Sequence, residues 1–153
     1  IDVIQPLISE RQIKRISNQS MKLDRWDSII NESLEQSERY WKPVLSEFVN
    51  IFDWMHSLNR NEFVSISITR DEYAIGLRKW VSNKKFIREK DYVIWNVIGP
   101  EGGWSKNEIR KFENLETQFI KLSKNILRTS TASIKTVSLL SEWRDEVLSS
   151  INY

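Results

Sequence analysis

The sequence predicts an α/β fold in which a mostly parallel sheet is flanked by helices. Apolar, β-branched runs alternate along the chain with stretches of helical periodicity, the pattern of repeated strand–helix units. One run, Tyr92–Ile98, is apolar at nearly every position, as suits a strand covered on both faces. That run passes through a glycine-rich block into a helix start, the place where open parallel sheets bind ligands. The 153 residues fit one ordinary globular domain, and no repeat, low-complexity tract or linker divides them, so 1–153 reads as one domain.

Taken in order, Val3–Ile8 reads as a short strand, followed by the polar stretch Ser9–Asn18. From Leu23 to Tyr40 the apolar positions Trp26, Ile29, Ile30, Leu34 and Trp41 recur at helical spacing, and Pro43 stops the helix. Ile51–Leu58 is a second short helix, and Phe63–Thr69, with Phe63, Ile66 and Ile68, is a strand. The spacing predicts a helix over Tyr73–Val81, beginning after Asp71, and then the strand Tyr92–Ile98. Ser105 and Glu108 form a capping box for a helix ending near Glu113. Gln118–Leu122 makes a further strand, and a last helix runs from about Thr131 to Ser149.

Composition narrows the function classes. The chain has no cysteine, which excludes disulfides, thiolate metal sites and a cysteine nucleophile, and is compatible with the cytoplasm. No run approaches the roughly 20 apolar residues of a membrane helix. Position 1 is isoleucine within an apolar run, which reads as a fragment of a longer chain. The net charge of +2 decides little, but Arg78, Lys79, Lys84, Lys85, Arg88 and Lys90 face only Glu89 in opposition. Such a stretch is either a phosphate-attracting patch or a plain solvated face. His56, the single histidine, lies outside every motif and is read as non-catalytic; no metal site is apparent.

The chain has four glycines, and three of them fall within Gly99–Gly103. Glycine lets backbone approach a ligand closely and adopt positive φ, and amides at the following helix start can receive polar groups. The block is therefore either a small-molecule site or a bare strand-to-helix turn. It matches neither the dinucleotide fingerprint nor the P-loop, which disfavours a nucleoside triphosphate. A second constellation, Leu122-Ser123-Lys124-Asn125-Ile126-Leu127-Arg128-Thr129-Ser130-Thr131-Ala132, also follows a strand and opens a helix. Two such loops in neighbouring positions would enclose one ligand.

The pairing of Ile98-Gly99-Pro100-Glu101-Gly102-Gly103-Trp104-Ser105 with Ile126-Leu127-Arg128-Thr129 resembles the 16S ribosomal RNA uracil-N3 methyltransferase family of the SPOUT superfamily. Glu10-Arg11, Arg25-Trp26, Glu32, Glu35-Gln36-Ser37, Arg39 and Pro43 agree with it in the right order. The resemblance implies a parallel α/β domain with a C-terminal trefoil knot, and it covers the catalytic domain alone. The family's N-terminal RNA-binding domain, and the first strand and helix of this domain, lie outside the match. It also implies S-adenosylmethionine as methyl donor, a homodimer, no metal, and 16S ribosomal RNA in the small subunit as substrate, in the cytoplasm.

Position by position, the resemblance implies a donor site of Ile98, Gly99, Pro100, Gly102 and Gly103 with Leu122, Ser123, Asn125, Ile126 and Leu127. Glu101 would be a catalytic or loop-organising carboxylate; Arg128 and Arg39 would orient the uridine or meet RNA phosphate, with Arg11 and Arg25 behind them. Uracil N3 carries a proton, so transfer requires its removal, stabilisation of the negative charge, and in-line alignment of nitrogen, methyl and sulfur. No general base is assigned. The chain departs from the family at Ser123, usually glycine, and at Ser130, usually glutamate. These departures keep open a non-catalytic RNA-binding or dimerisation relative, and a SPOUT enzyme acting at another RNA position. Of seven tryptophans, Trp26, Trp41, Trp54, Trp80, Trp95 and Trp143 read as core or interface. Trp104 is either core, a wall of the donor site, or a stacking platform for a base.

Overall fold

Every strand pair in the computed structural model is parallel, as the alternation of strands and helices predicts. The structure describes residues 1–12, 18–59, 61–84, 92–115 and 117–151. The chain divides into two units, Ile1–Ser57 and Leu58–Tyr153.

In the first unit the single strand expected over Val3–Ile8 is two, β1 (Val3–Ile4) and β2 (Leu7–Ile8). Pro6 between them has no N–H to give a ladder, and its carbonyl accepts from Val49 N at 3.2 Å. After the helix α1 (Gln19–Gln36) come β3 (Val44–Leu45) and β4 (Val49–Asn50), which pair with β1 and β2 respectively. Two-residue strands have too little pattern to stand out in sequence. Helix α1 begins before the expected Leu23 and ends before Tyr40. Its end is set upstream of Pro43, where Ser37 Oγ donates to Ser33 O at 2.6 Å and Glu38 turns left-handed at φ 51°. Helix α2 (Ile51–Ser57) is opened by Asn50, whose Oδ1 accepts from Phe52 N at 2.9 Å, and buries Ile51, Trp54 and Met55. His56 sits exposed in its last turn.

The second unit is built on a four-stranded sheet of order β6-β8-β5-β7, where β5 is Glu62–Ser67, β6 Ile75–Gly76, β7 Val93–Val97 and β8 Gln118–Lys121. The helix expected over Tyr73–Val81 is shorter, α3 (Leu77–Ser82), because its first part is spent on β6. Asp71 Oδ1 accepts from Tyr73 N at 2.8 Å, a local side-chain turn that competes with a helical start. A second correction concerns β7. It was expected to be buried on both faces, yet only Val97 is buried and Val93 is 41% exposed; β7 is also an edge strand among the described residues.

Successive residues of β8 face opposite layers, as the two-residue period requires. Ile120 joins the core of Leu77, Trp80 and Val81, against which Leu139, Leu140 and Trp143 of the last helix α5 (Thr129–Ile151) pack. Phe119 instead meets Phe112 of α4 (Lys106–Glu113), ring centroids 6.5 Å apart. Helices thus cover both faces. Helix α4 begins on the expected capping box: Ser105 Oγ accepts from Glu108 N at 3.0 Å, and Glu108 Oε2 from Ser105 N at 2.7 Å. Ser105→Ala is expected to cost about 1 kcal/mol in a denaturant titration, the ordinary worth of a lost N-cap. Tryptophans divide: Trp54 and Trp80 are core, whereas Trp41 is exposed.

Candidate functional site

The chain order of the second unit brings two loops to one end of the sheet. From β7 the chain passes through α4 to β8, which lies on the opposite side of β5. The loops leaving β7 and β8 therefore both emerge at the carboxyl end of the sheet, flanking β5, at the kind of reversal where α/β sheets take ligands. They are the two loops singled out in sequence.

The first loop makes a tight turn. Gly103 N donates to Pro100 O at 2.8 Å, placing Glu101 and Gly102 at the exposed tip. Gly103 has φ 66°, a left-handed conformation that costs a side-chain-bearing residue roughly 1 kcal/mol or more. Gly99 answers a different need. A Cβ placed there would meet Trp104 Cε2 at 3.0 Å and Cζ2 at 3.2 Å, so absence of a side chain lets the strand end lie directly on the indole.

Trp104 is 8% exposed. Its Nε1 donates to Ser67 O at 2.9 Å, and its ring meets Phe112 edge-on at 5.1 Å. Of the three roles open to it, the buried one holds: it is the floor of the glycine loop, and its ring face is not offered to a base. The helix start behind the loop is also engaged, because the capping box already takes the amides of Ser105 and Glu108. Those two amides are therefore not open to a ligand.

The second loop runs from Leu122 to Arg128, with Ser123 Oγ accepting from Asn125 N at 3.2 Å. Leu122 and Leu127 are half-buried, while Ile126 is 62% exposed. The two loops meet where Thr129 Oγ1 donates to Gly99 O at 3.4 Å. Arg128 and Glu101 are both exposed. Arg11, Arg25 and Arg39 belong to the first unit and are likewise exposed. In the basic stretch, Arg78 Nη2 binds Glu146 at 2.6 and 2.7 Å and Nη1 binds Glu142 at 3.3 Å, so Glu146 holds its guanidinium above the ordinary value. Lys84 lies over the rings of Phe63 and Trp80, at 4.8 and 5.2 Å. These contacts favour the solvated-face reading for Arg78 and Lys84; Lys85, Arg88, Glu89 and Lys90 lie outside the described residues.

Sequence reasoning gave no role to Asn96, Ser67 or Thr136, which join β7, β5 and α5 beneath the two loops. A polar residue inside the apolar run of β7 was the available signal.

Residues 1–141 match the family of RNA methyltransferase domains. The chain belongs to that family. It is 30% identical over 128 residues to the ribosomal RNA small subunit methyltransferase E of Synechocystis, covering 84% of this chain and 40% of that one. The enzyme of the same name from Mesomycoplasma hyopneumoniae is 31% identical over 135 residues, covering 88% and 55%. The chain thus spans about half the length of the relatives it matches. Two solved structures are alike in fold. The ribosomal RNA small subunit methyltransferase E of Neisseria gonorrhoeae, bound to S-adenosylmethionine, has a TM-score of 0.71 at 26% identity, covering 92% of this chain and 54% of that one. A Legionella pneumophila protein, in complex with the same cofactor, has a TM-score of 0.76 at 26% identity, covering 93% and 55%.

Proposed function

We propose that this domain is the catalytic part of an enzyme that methylates uracil N3 in 16S ribosomal RNA, with S-adenosylmethionine as donor. The observation that carries the reading is the junction of the two strand-end loops at Thr129 and Gly99, in a chain of the RNA methyltransferase domain family. The residues present suit that donor. Half-buried Ile98, Leu122 and Leu127 and exposed Ile126 offer apolar surface to an adenine ring, and the turn of Pro100 to Gly103, with Ser123 and Asn125, offers backbone and hydroxyl groups to its polar parts. When bound, the donor supplies an electrophilic methyl group on sulfur.

The chain's own task is to position and neutralise. Arg128 would hold the negative charge that develops on the uracil oxygens once the N3 proton leaves. Glu101, at the loop tip, would act as the nearby carboxylate, and Arg39 would meet RNA phosphate. We further propose that both units belong to one methyltransferase domain, supported by a family match that runs through both. Homodimerisation is supported by Ile134, 70% exposed on α5, and by α1, which buries no residue within its own chain. Work on ribosomal subunits would place the enzyme in the cytoplasm. No described helix is long and apolar enough to cross a membrane.

Calorimetry with S-adenosylmethionine on the full-length protein is expected to show saturable binding in the micromolar range, Ser123 notwithstanding. No heat of binding at millimolar donor would instead point to a non-catalytic relative. Mass spectrometry of ribosomal RNA nucleosides from a deletion strain should then show loss of N3-methyluridine. An undiminished level would redirect the reading to another RNA position.

A further inference from the structure

Beneath the two loops lies a polar network inside an otherwise apolar layer. Asn96 of β7 stands opposite Ser65 of β5 in the sheet register. Its Nδ2 donates to Ser65 Oγ at 2.8 Å, and Ser65 Oγ donates onward to Trp95 O at 3.1 Å. Its Oδ1 accepts from Ser67 Oγ at 3.2 Å and from Thr136 Oγ1 of α5 at 2.9 Å. Ser65 and Thr136 are buried, so these bonds form where water does not compete.

Thr136 and Thr129 are two helical turns apart on α5 and project from one face. Two turns advance about 10.5 Å along a helix. From Asn96 to Gly99 an extended chain advances about 10 Å. The spacings match, so α5 runs antiparallel to β7 with one hydroxyl on each rung, Thr136 on Asn96 and Thr129 on the Gly99 carbonyl. Ala132 lies between the rungs and is buried; its small side chain suits a close approach of helix to sheet. An apolar contact at position 136 would tolerate sliding of the helix along the strand, whereas a hydrogen bond in a closed network does not. Ser67 joins the same network to the loop floor, since its carbonyl receives Trp104 Nε1.

We infer that Thr136, through Asn96, is a positioning residue for methyl transfer: it sets the register of α5 on β7, and with it the placement of Arg128 and Thr129 at the glycine loop. The inference rests on the donor-site reading above. It concerns a buried residue, so its signature is a loss in turnover and not in RNA binding.

The test uses the full-length enzyme with Thr136→Ala and Thr136→Ser. Alanine has the higher helix propensity, so the first variant is expected to fold, and a thermal melt checks it. Because small misplacements of reacting groups carry large penalties, Thr136→Ala should lower kcat about tenfold or more, with KM for RNA within about twofold. Thr136→Ser keeps the hydroxyl and should return kcat to within about twofold of the parent. Wild-type kcat in Thr136→Ala overturns the inference, as does an equal loss in Thr136→Ser. A parent enzyme that neither binds S-adenosylmethionine nor methylates RNA overturns the donor-site reading together with it, and the unmutated control reveals that case.

Discussion

Trp104→Ala is expected to destabilise the second unit by about 3–5 kcal/mol, the range for removing a buried tryptophan. Three contacts disappear together: the edge-on packing against Phe112, the hydrogen bond to Ser67 O, and the floor on which Gly99 rests. Refilling that space is difficult because its walls are the end of β5 at Ser67 and Phe112 in the last turn of α4, both elements fixed by backbone hydrogen bonding. Urea unfolding followed by far-ultraviolet circular dichroism measures the loss. A cost below about 1 kcal/mol would mean that the indole is a surface side chain, contrary to the cavity arithmetic. Trp104→Phe in the same experiment separates the ring from its N–H: it keeps most of the packing and leaves the Ser67 carbonyl unpaired, a loss of about 1–3 kcal/mol. Donor affinity should fall with Trp104→Ala for the same reason, since the glycine turn loses its support.

That expectation decides between the roles the sequence left open, in which Trp104 was also a candidate to face a ligand. Its neighbours in sequence are loop residues, and nothing local states which way an aromatic at a loop end turns. The answer depends on Phe112 and Ser67, which are far apart in the chain. Other features were legible because their causes are local. The capping box of Ser105 and Glu108 is a matter of adjacent residues, and the parallel arrangement follows from strand–helix alternation. The proximity of the two loops was foreseeable as two strand-end turns, although their order about β5 was not. Strands β3, β4 and β6 were missed because each has two residues, and a two-residue strand exists only through its partner. The edge position of β7 was missed for a related reason: apolar composition records how buried a segment tends to be, not how many strands pair with it. The Asn96 network shows the limit from the other side. One asparagine in an apolar run signals an exception, but its meaning depends on Thr136, 40 residues away on α5.

Arg128→Ala should have the opposite profile from Trp104→Ala, with little effect on folding and a large one on chemistry. The side chain is exposed at the residue preceding α5, and substitutions at such surface positions usually change stability by no more than about 0.5 kcal/mol. If the reaction is the proposed one, methyl transfer to uracil N3 needs the ring as its anion, or nearly so, in the transition state. A guanidinium aimed at a uracil oxygen stabilises that state more than the neutral ground state, which is the condition for raising kcat. Its loss from the full-length enzyme should therefore reduce turnover about 10²–10³-fold, the scale seen for single charge-stabilising donors. Donor affinity should remain within about twofold, because the proposed reading gives the cofactor to the loops and not to this charge. Arg128→Lys distinguishes charge from geometry. A point charge without the planar fork should recover part of the rate if the guanidinium binds one oxygen, and almost none if it spans two groups. Measured turnover close to that of the parent in Arg128→Ala would remove this residue from the chemistry. It would transfer the charge-stabilising role to another group.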